Sequence, residues 1–496
     1  MYRGALPLLL AGAGSASAAL QVDFGSSSSI KAAAKDVAFD AMTYYKGNQS
    51  GEIPGLLASP GPHSEYYPWT GAILWSTMID YWCYTDDDAY NRVAVEGMVH
   101  QNGEGQGDRL AHPFMPANWS ASLANDDQGF WGMAAMQAAE SGFPEAPQDW
   151  DQPRWIELAQ AVFETQARRF DAEEGNEKAC NGGLRWVVAP LSAGYNYKNS
   201  VSNAVFLNLA ARLARYTGNQ TYADWASRTW DWLAAVGFID ADFRVFDGAH
   251  VEKNCTDINR AQFSYVPGVL LQAAAYLYNQ TSDDNNSNSN KKIWQSRLEG
   301  LTNATLTHFS SSPSSSGILV ERACEARGTC TTDMLFFKGI LFRSLASAVR
   351  LAPFLHGAAL PALRANAEAA VKACASGGPN GRECGFRWTT TTTDGDDDDK
   401  KGPPAELNAL SALLGMLVDE AAGKAMLTNA TAGTAAYSKS GSGSSGKGSG
   451  GDDDTGTGTG KTGSTASSTD SGKSAGSATR AALGLVLAGV VAALMS

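Results

Sequence analysis

Basic charge, histidine and strand-type alternation are all scarce in this sequence. Lys and Arg number 38 against 51 Asp and Glu, a formal charge of −13. A chain of that sign repels a polyphosphate backbone, which excludes nucleic acid as a partner. Six histidines lie scattered over 496 residues, and the seven cysteines show no metal-ligand spacing, so neither a metal nor another cofactor is implied. Strand signals are confined to Phe243–Phe246 and Phe386–Thr389, enough for small ribbons only. The acidic runs Asp394–Asp399 and Asp452–Asp454 read as solvated loops.

What is present sorts the chain into regions. Arg3, the apolar Leu6–Ala13 and the small run Ala16-Ser17-Ala18 predict a signal peptide over residues 1–19. At the other end, small residues near Asp470–Ser474, a polar spacer and the apolar Ala481–Met495 predict a GPI-attachment signal, with the tail from 480 to 496 removed. The apolar run is too short to span a bilayer comfortably. Between 436 and 479 a Ser/Gly/Thr-rich stretch cannot bury enough apolar surface to order itself and reads as a disordered stalk. Eight Asn-x-Ser/Thr sequons, at Asn48, Asn118, Asn219, Asn254, Asn279, Asn285, Asn303 and Asn429, fit a secreted chain anchored at the outer face of the plasma membrane and the cell wall. The cysteines fit an oxidising compartment, with Cys324–Cys330 and Cys374–Cys384 as local bridges and Cys180–Cys255 as a long-range one; Cys83 is left as a buried thiol.

The remaining 21–435 reads as all-α. Helical spacing predicts twelve helices, at Ile30–Lys46, Thr70–Trp82, Asp88–His100, from Gly129 onward, Pro153–Phe170, Asn199–Tyr216, Gln220–Ala235, Gln262–Tyr278, Lys291–Phe309, Met334–Leu351, Leu360–Ala375 and Glu406–Ala422. Helices apolar on nearly all sides alternate with helices charged on one face, which places the first kind inside and the second outside. Interior helices recur about every 70 residues, a repeat expected of stacked helical hairpins. Six hairpins closing on themselves make an (α/α)6 toroid.

One stretch stands out as chemical: Asn125-Asp126-Asp127-Gln128-Gly129-Phe130-Trp131-Gly132. Paired carboxyls there serve equally as helix N-caps favoured by the helix dipole or as the two acids that glycosidic cleavage requires. The other interior helices begin beside Trp186, Lys198, Asn199, Asn203, Tyr265, Asp333, Phe337, Lys338 and Trp388. Aromatic faces beside amide and charged groups suit a sugar, although each ring taken singly fits a core as well.

With Asn125–Trp131, Lys198–Asn203 running into Ala210–Ala214, and Phe337-Lys338-Gly339-Ile340, the chain resembles glycoside hydrolase family 76, the mannan endo-1,6-α-mannosidases, and in particular its fungal GPI-anchored branch. The resemblance implies retaining cleavage of α-1,6-mannosidic linkages, with Asp126 as nucleophile, Asp127 as acid/base and Asp247 binding the sugar. It implies α-1,6-mannan or a GPI glycan as substrate. The alternative within the same branch is a transglycosylase that moves GPI-anchored glycoproteins onto a β-glucan acceptor in the wall. A different class, a non-catalytic glycan-binding wall protein, would share the fold. Where relatives resemble Tyr-Asn-Gln-Gly, this chain has Tyr265-Val266-Pro267-Gly268.

Overall fold

The computed structural model describes residues 20–58, 66–103, 109–115, 123–171, 179–281, 288–312, 317–378, 380–389, 400–418 and 426–429. The expected signal peptide, stalk and C-terminal tail, the acidic runs, Trp119 and the sequons at Asn118 and Asn285 lie outside these. One compact unit runs through Gly433. None of its described helices is long and apolar enough to cross a membrane.

Twelve α-helices are described: α1 (Ser27–Thr43), α2 (Trp69–Thr85), α3 (Asn91–Gln101), α4 (Asn125–Ser141), α5 (Trp155–Asp171), α6 (Ser200–Thr217), α7 (Gln220–Ala235), α8 (Tyr265–Gln280), α9 (Asn288–Phe309), α10 (Phe337–Leu351), α11 (His356–Lys372) and α12 (Pro403–Gly415). The even-numbered helices form the inner ring. α2 packs on α4, α4 on α6, α6 on α8, α8 on α10, α10 on α12, and α12 closes back on α2. α3, α5, α7 and α9 lie outside against their inner partners, while α1 and α11 both pack on α12. This is the (α/α)6 toroid.

Burial explains the sorting. α2 is buried without interruption from Trp69 to Tyr81, and α12 from Pro403 to Gly415. In α7 the buried positions Tyr222, Ala223, Ala226, Thr229, Trp230 and Leu233 follow helical spacing and leave a solvent face. Inner helices also need small residues where their backbones meet. A Cβ at Gly129 would lie 2.4 Å from Val205 Cγ1, and one at Gly268 would lie 2.9 Å from Leu341 Cα. Gly129 thus brings the helix that carries the aspartates hard against α6.

Polar side chains tie five inner helices together toward their C-terminal ends. Buried Arg212 donates to Glu140 at 2.7 Å and to Gln137 at 2.7 Å, and Tyr276 O–H reaches the same Glu140 oxygen at 2.8 Å. Gln137 in turn donates to Asp80, which also accepts from Arg343 at 2.7 Å. Each acid in this network has a cation beside it.

Several boundaries differ from the sequence reading. α4 starts at Asn125 rather than Gly129, so both aspartates belong to its first turn. α12 runs to Gly415, the expected end at Ala422 lying outside the described residues, and α11 starts and ends earlier. The described ribbons are β1 (Tyr197–Asn199) with β2 (Gly248–His250) and β3 (Cys374–Ser376) with β4 (Arg382–Cys384), both antiparallel. The Phe243–Phe246 stretch contributes a single bridge, Ile239 to Val245. All three expected disulfides are formed. Cys83 is partly exposed rather than buried.

Candidate active site

The first residues of the inner helices share one face of the ring, and the aspartates stand in it. Their helix start is fixed by residues of α5 and of the segment ahead of β1. Asn125 N–H donates to the Trp186 carbonyl at 2.8 Å and its side-chain amide donates to the Arg185 carbonyl at 2.9 Å. Arg169 donates to Asn125 Oδ1 at 2.8 Å and to Gln128 Oε1 at 2.7 Å, and Gln166 holds the Asn125 carbonyl. Asn125 and Gln128 therefore work as positioning groups. The sequence reading had treated them as part of the motif without giving them that task.

Asp126 and Asp127 point into different hydrogen-bond environments although they are adjacent. Asp126 Oδ2 accepts from Asn199 Nδ2 at 3.1 Å and Ser202 Oγ at 3.2 Å, and its Oδ1 accepts from the Asp127 N–H at 2.9 Å. Asn199 does two things at once, because its own oxygen caps α6 by accepting from Ser202 N–H. Among the described residues Asp127 has one protein donor, the Ala124 N–H at 2.9 Å, the back-bond of a capping box.

Electrostatics then separates the pair. Burial raises Asp126 from the ordinary 3.8 to about 6, held back by its donors from Asn199, Asp127 and Ser202. Asp127 is pushed well above the carboxylate range, first by burial and then by the Asp126 charge. With more donors on Asp126, the first proton to leave comes from Asp126, and Asp127 keeps its own.

Aromatic rings wall this end. Tyr265 stacks on Phe337 with centroids 3.8 Å apart and faces Phe130 at 6.5 Å. Trp69 packs against Phe130, Phe336 and Phe337. Asp247 lies on the β1–β2 side, where its Oδ2 accepts from Tyr197 O–H at 2.7 Å and Asn259 Nδ2 at 3.1 Å; burial raises it above the usual range. The Tyr265 phenol is raised by burial and then by the fields of Asp126, Asp247, Asp333 and Glu321.

The structure thus brings together Asp126, Asp127, Asn199, Tyr265, Phe337 and, through the Tyr265 ring, Asp247. Trp186 is half-buried with its backbone paired to Asn125 and Tyr197. It does not bring the remaining residues to the aspartates in the same way. Lys198 is buried and donates to the Ala179 and Gly182 carbonyls, and Asn203 holds both backbone groups of Leu184. Lys338 is fully buried against Glu325 at 3.2 Å and over the Phe386 and Trp388 rings, which buries Trp388 as well. Val266 and Pro267 are also buried in the first turn of α8. Groups the sequence reading left without a role include Trp69, Tyr197, Ser202, Asn259 and Asp333. Of these, Asp333 carried a signal as an acid just ahead of an interior helix, and Tyr197 and Ser202 lay in the stretch leading into α6.

Comparison with known proteins agrees with this geometry. The family model for glycosyl hydrolase family 76 matches residues 29–433. Mannan endo-1,6-alpha-mannosidase DCW1 of Candida glabrata is 40% identical over 371 residues, 74% of this chain and 76% of that protein. Mannan endo-1,6-alpha-mannosidase DFG5 of Candida albicans is 36% identical over 376 residues, covering 74% and 76%. The crystal structure of Dfg5 from Chaetomium thermophilum in complex with glucosamine superposes with a TM-score of 0.73 at 45% identity, over 83% of this chain and 95% of that one.

Proposed function

The chain belongs to glycosyl hydrolase family 76, and from that premise we propose that it cleaves α-1,6-mannosidic bonds with retention, using Asp126 as nucleophile and Asp127 as acid/base. It is a glycoside hydrolase, a mannan endo-1,6-α-mannosidase of the fungal cell wall. The observation that carries the assignment of roles is the unequal solvation of the pair. Among the described residues Asp126 has three donors to hold its charge and Asp127 has one.

In the first step an Asp126 oxygen attacks the anomeric carbon as the C–O bond to the leaving sugar breaks. Asp127 passes its proton to the departing oxygen. An ester between Asp126 and the sugar results. In the second step Asp127, now a carboxylate, takes a proton from the incoming hydroxyl, and that oxygen displaces Asp126. Retention requires carboxyls about 5 to 5.5 Å apart, which adjacent residues reach when their side chains diverge from a helix's first turn. Asp247, held by Tyr197 and Asn259, and the Tyr265–Phe337 pair are the groups assigned to the sugar in the reacting position. Trp186 and Asn199 border it. Lys198, Asn203, Lys338 and Trp388 are assigned to the loops that support it.

If the incoming hydroxyl belongs to a sugar, the same intermediate yields transglycosylation. A specific observation favours keeping that reading: the 45%-identical Dfg5 relative was crystallised with glucosamine, which is not a mannan constituent. A GPI glycan as donor, a β-glucan acceptor and a GPI anchor at the outer membrane face form one consistent picture with it. Mass-spectrometric analysis of products from α-1,6-mannooligosaccharide, with and without β-glucan oligosaccharide, tests the choice. Shortened mannan in water alone supports hydrolysis, whereas mannose joined to glucan with little free product supports transfer. The absence of both products would point to the GPI glycan as the donor and add weight to the non-catalytic reading.

A further inference from the structure

We propose that Asp333 is a third functional carboxyl of this site, with one oxygen fixed by Trp69 and the other holding a sugar hydroxyl beside the Asp126–Asp127 pair. The inference rests on the glycosidase reading and adds a substrate contact to it.

Asp333 immediately precedes the short turn Met334–Phe336 that leads into α10. Its Oδ1 accepts from Trp69 Nε1 at 3.2 Å. That indole lies against Phe130, the third residue after Asp127, and against Phe336 and Phe337. Phe336 and Phe337 are buried, but Asp333 retains partial exposure. Its second oxygen accepts no hydrogen bond from the described residues. The ionisable groups within its field are Asp126 and Asp127 on α4 and Tyr265 on α8. No basic side chain forms an ion pair with Asp333 among the described residues.

Structure alone gives no reason for an acid at this position. An indole N–H is satisfied equally well by a neutral amide oxygen, and enclosing a carboxyl near two others is unfavourable unless something uses it. Burial accordingly raises Asp333 to about 7, with the Asp126 charge adding to the effect. Acids kept under such conditions concentrate at functional sites. A sugar beside the Asp126–Asp127 pair would present ring hydroxyls at its edge, and a carboxylate oxygen is the strongest acceptor the wall offers.

The test compares the secreted protein with Asp333→Asn and Trp69→Phe. On α-1,6-mannotriose, Asp333→Asn should lower kcat/KM roughly 10- to 100-fold, the range for losing a hydrogen bond to a charged group. Trp69→Phe should give a smaller loss in the same direction, since it frees the carboxyl without deleting it. The alkaline limb of the pH profile should move to lower pH in Asp333→Asn, because Asp127 loses a negative neighbour. A merely structural role would not move that limb.

Calorimetric binding of mannotriose in the Asp126→Asn background, with and without Asp333→Asn, separates this inference from its premise. Weaker binding in the double variant supports the contact even if the wild type shows no turnover. Unchanged binding, kcat/KM and pH limb would overturn it. An Asp333→Asn chain that fails to fold, with Trp69→Phe fully active, would also overturn it.

Discussion

Two groups of acids on the inner helix ring, one toward the C-terminal ends and one beside the paired aspartates, are compensated in opposite ways. Toward the C-terminal ends, Glu140 is paired with Arg212 at 2.7 Å and Asp80 with Arg343 at 2.7 Å, with Tyr276, Gln137 and Ser76 adding hydrogen bonds. At the N-terminal mouth, Asp126, Asp127, Asp247 and Asp333 accept, among the described residues, from neutral donors: amides, hydroxyls, an indole and backbone N–H groups. The first arrangement compensates charge and locks five helices. The second leaves charge poorly compensated, which keeps protons on acids near neutral pH and reserves oxygens for a ligand. One pole serves stability and the other reactivity.

Exchanging side chains at the two poles should therefore separate activity from stability. The largest expected effect is at the mouth. Asp126→Asn should lower turnover of α-1,6-mannooligosaccharide by roughly 10⁴-fold or more, and Asp127→Asn by about 10²- to 10⁴-fold for a leaving group that needs protonation. Circular dichroism should show both variants folded. At the other pole, Arg212→Met strands the buried Glu140 charge and should cost about 3 to 5 kcal/mol of stability by urea unfolding. Its kcat per folded molecule should stay near wild type.

A smaller effect sharpens the contrast. Asp126 and Asp333 have folded values of about 6 and about 7, and Asp127 is raised further, against an ordinary 3.8. Folding thus favours their protonated forms. The stabilisation from binding those protons is fully present below about pH 4 and is lost as pH rises through 6 to 7 and beyond. Asp127→Asn should raise the melting temperature relative to wild type at pH 7.5, and the gain should disappear at pH 4. A gain independent of pH would mean that charge at the mouth is not what strains the fold. The same ionisation of Asp126 should give activity an acid limb near pH 6.

The toroid was legible in the sequence because its inner helices are apolar on every side and its outer ones are not; α2 and α7 show the difference directly. The paired aspartates were legible for a related reason, as acids opening an apolar helix. The start of α4 was misjudged by four residues because Asn125 and the aspartates look like caps, whereas Asn125 is held inside the helix by Trp186 and Arg169. Lys198, Asn203 and Lys338 looked like groups for a ligand. Their donors go to loop carbonyls, backbone of Leu184 and a buried glutamate, pairings that depend on loop paths no local pattern encodes. Asp333 escaped assignment because only ring closure carries the start of α10 to Trp69 and α4.

The central claim is that Asp126 becomes covalently attached to the sugar while Asp127 handles the proton. Incubating the protein with a 2-deoxy-2-fluoro mannosyl donor bearing a good leaving group, then mapping peptides by mass spectrometry, tests it directly. The account predicts a single glycosyl adduct on Asp126, retained in Asp127→Asn. An adduct on Asp127 or Asp333, or full turnover with no adduct on Asp126, would contradict it.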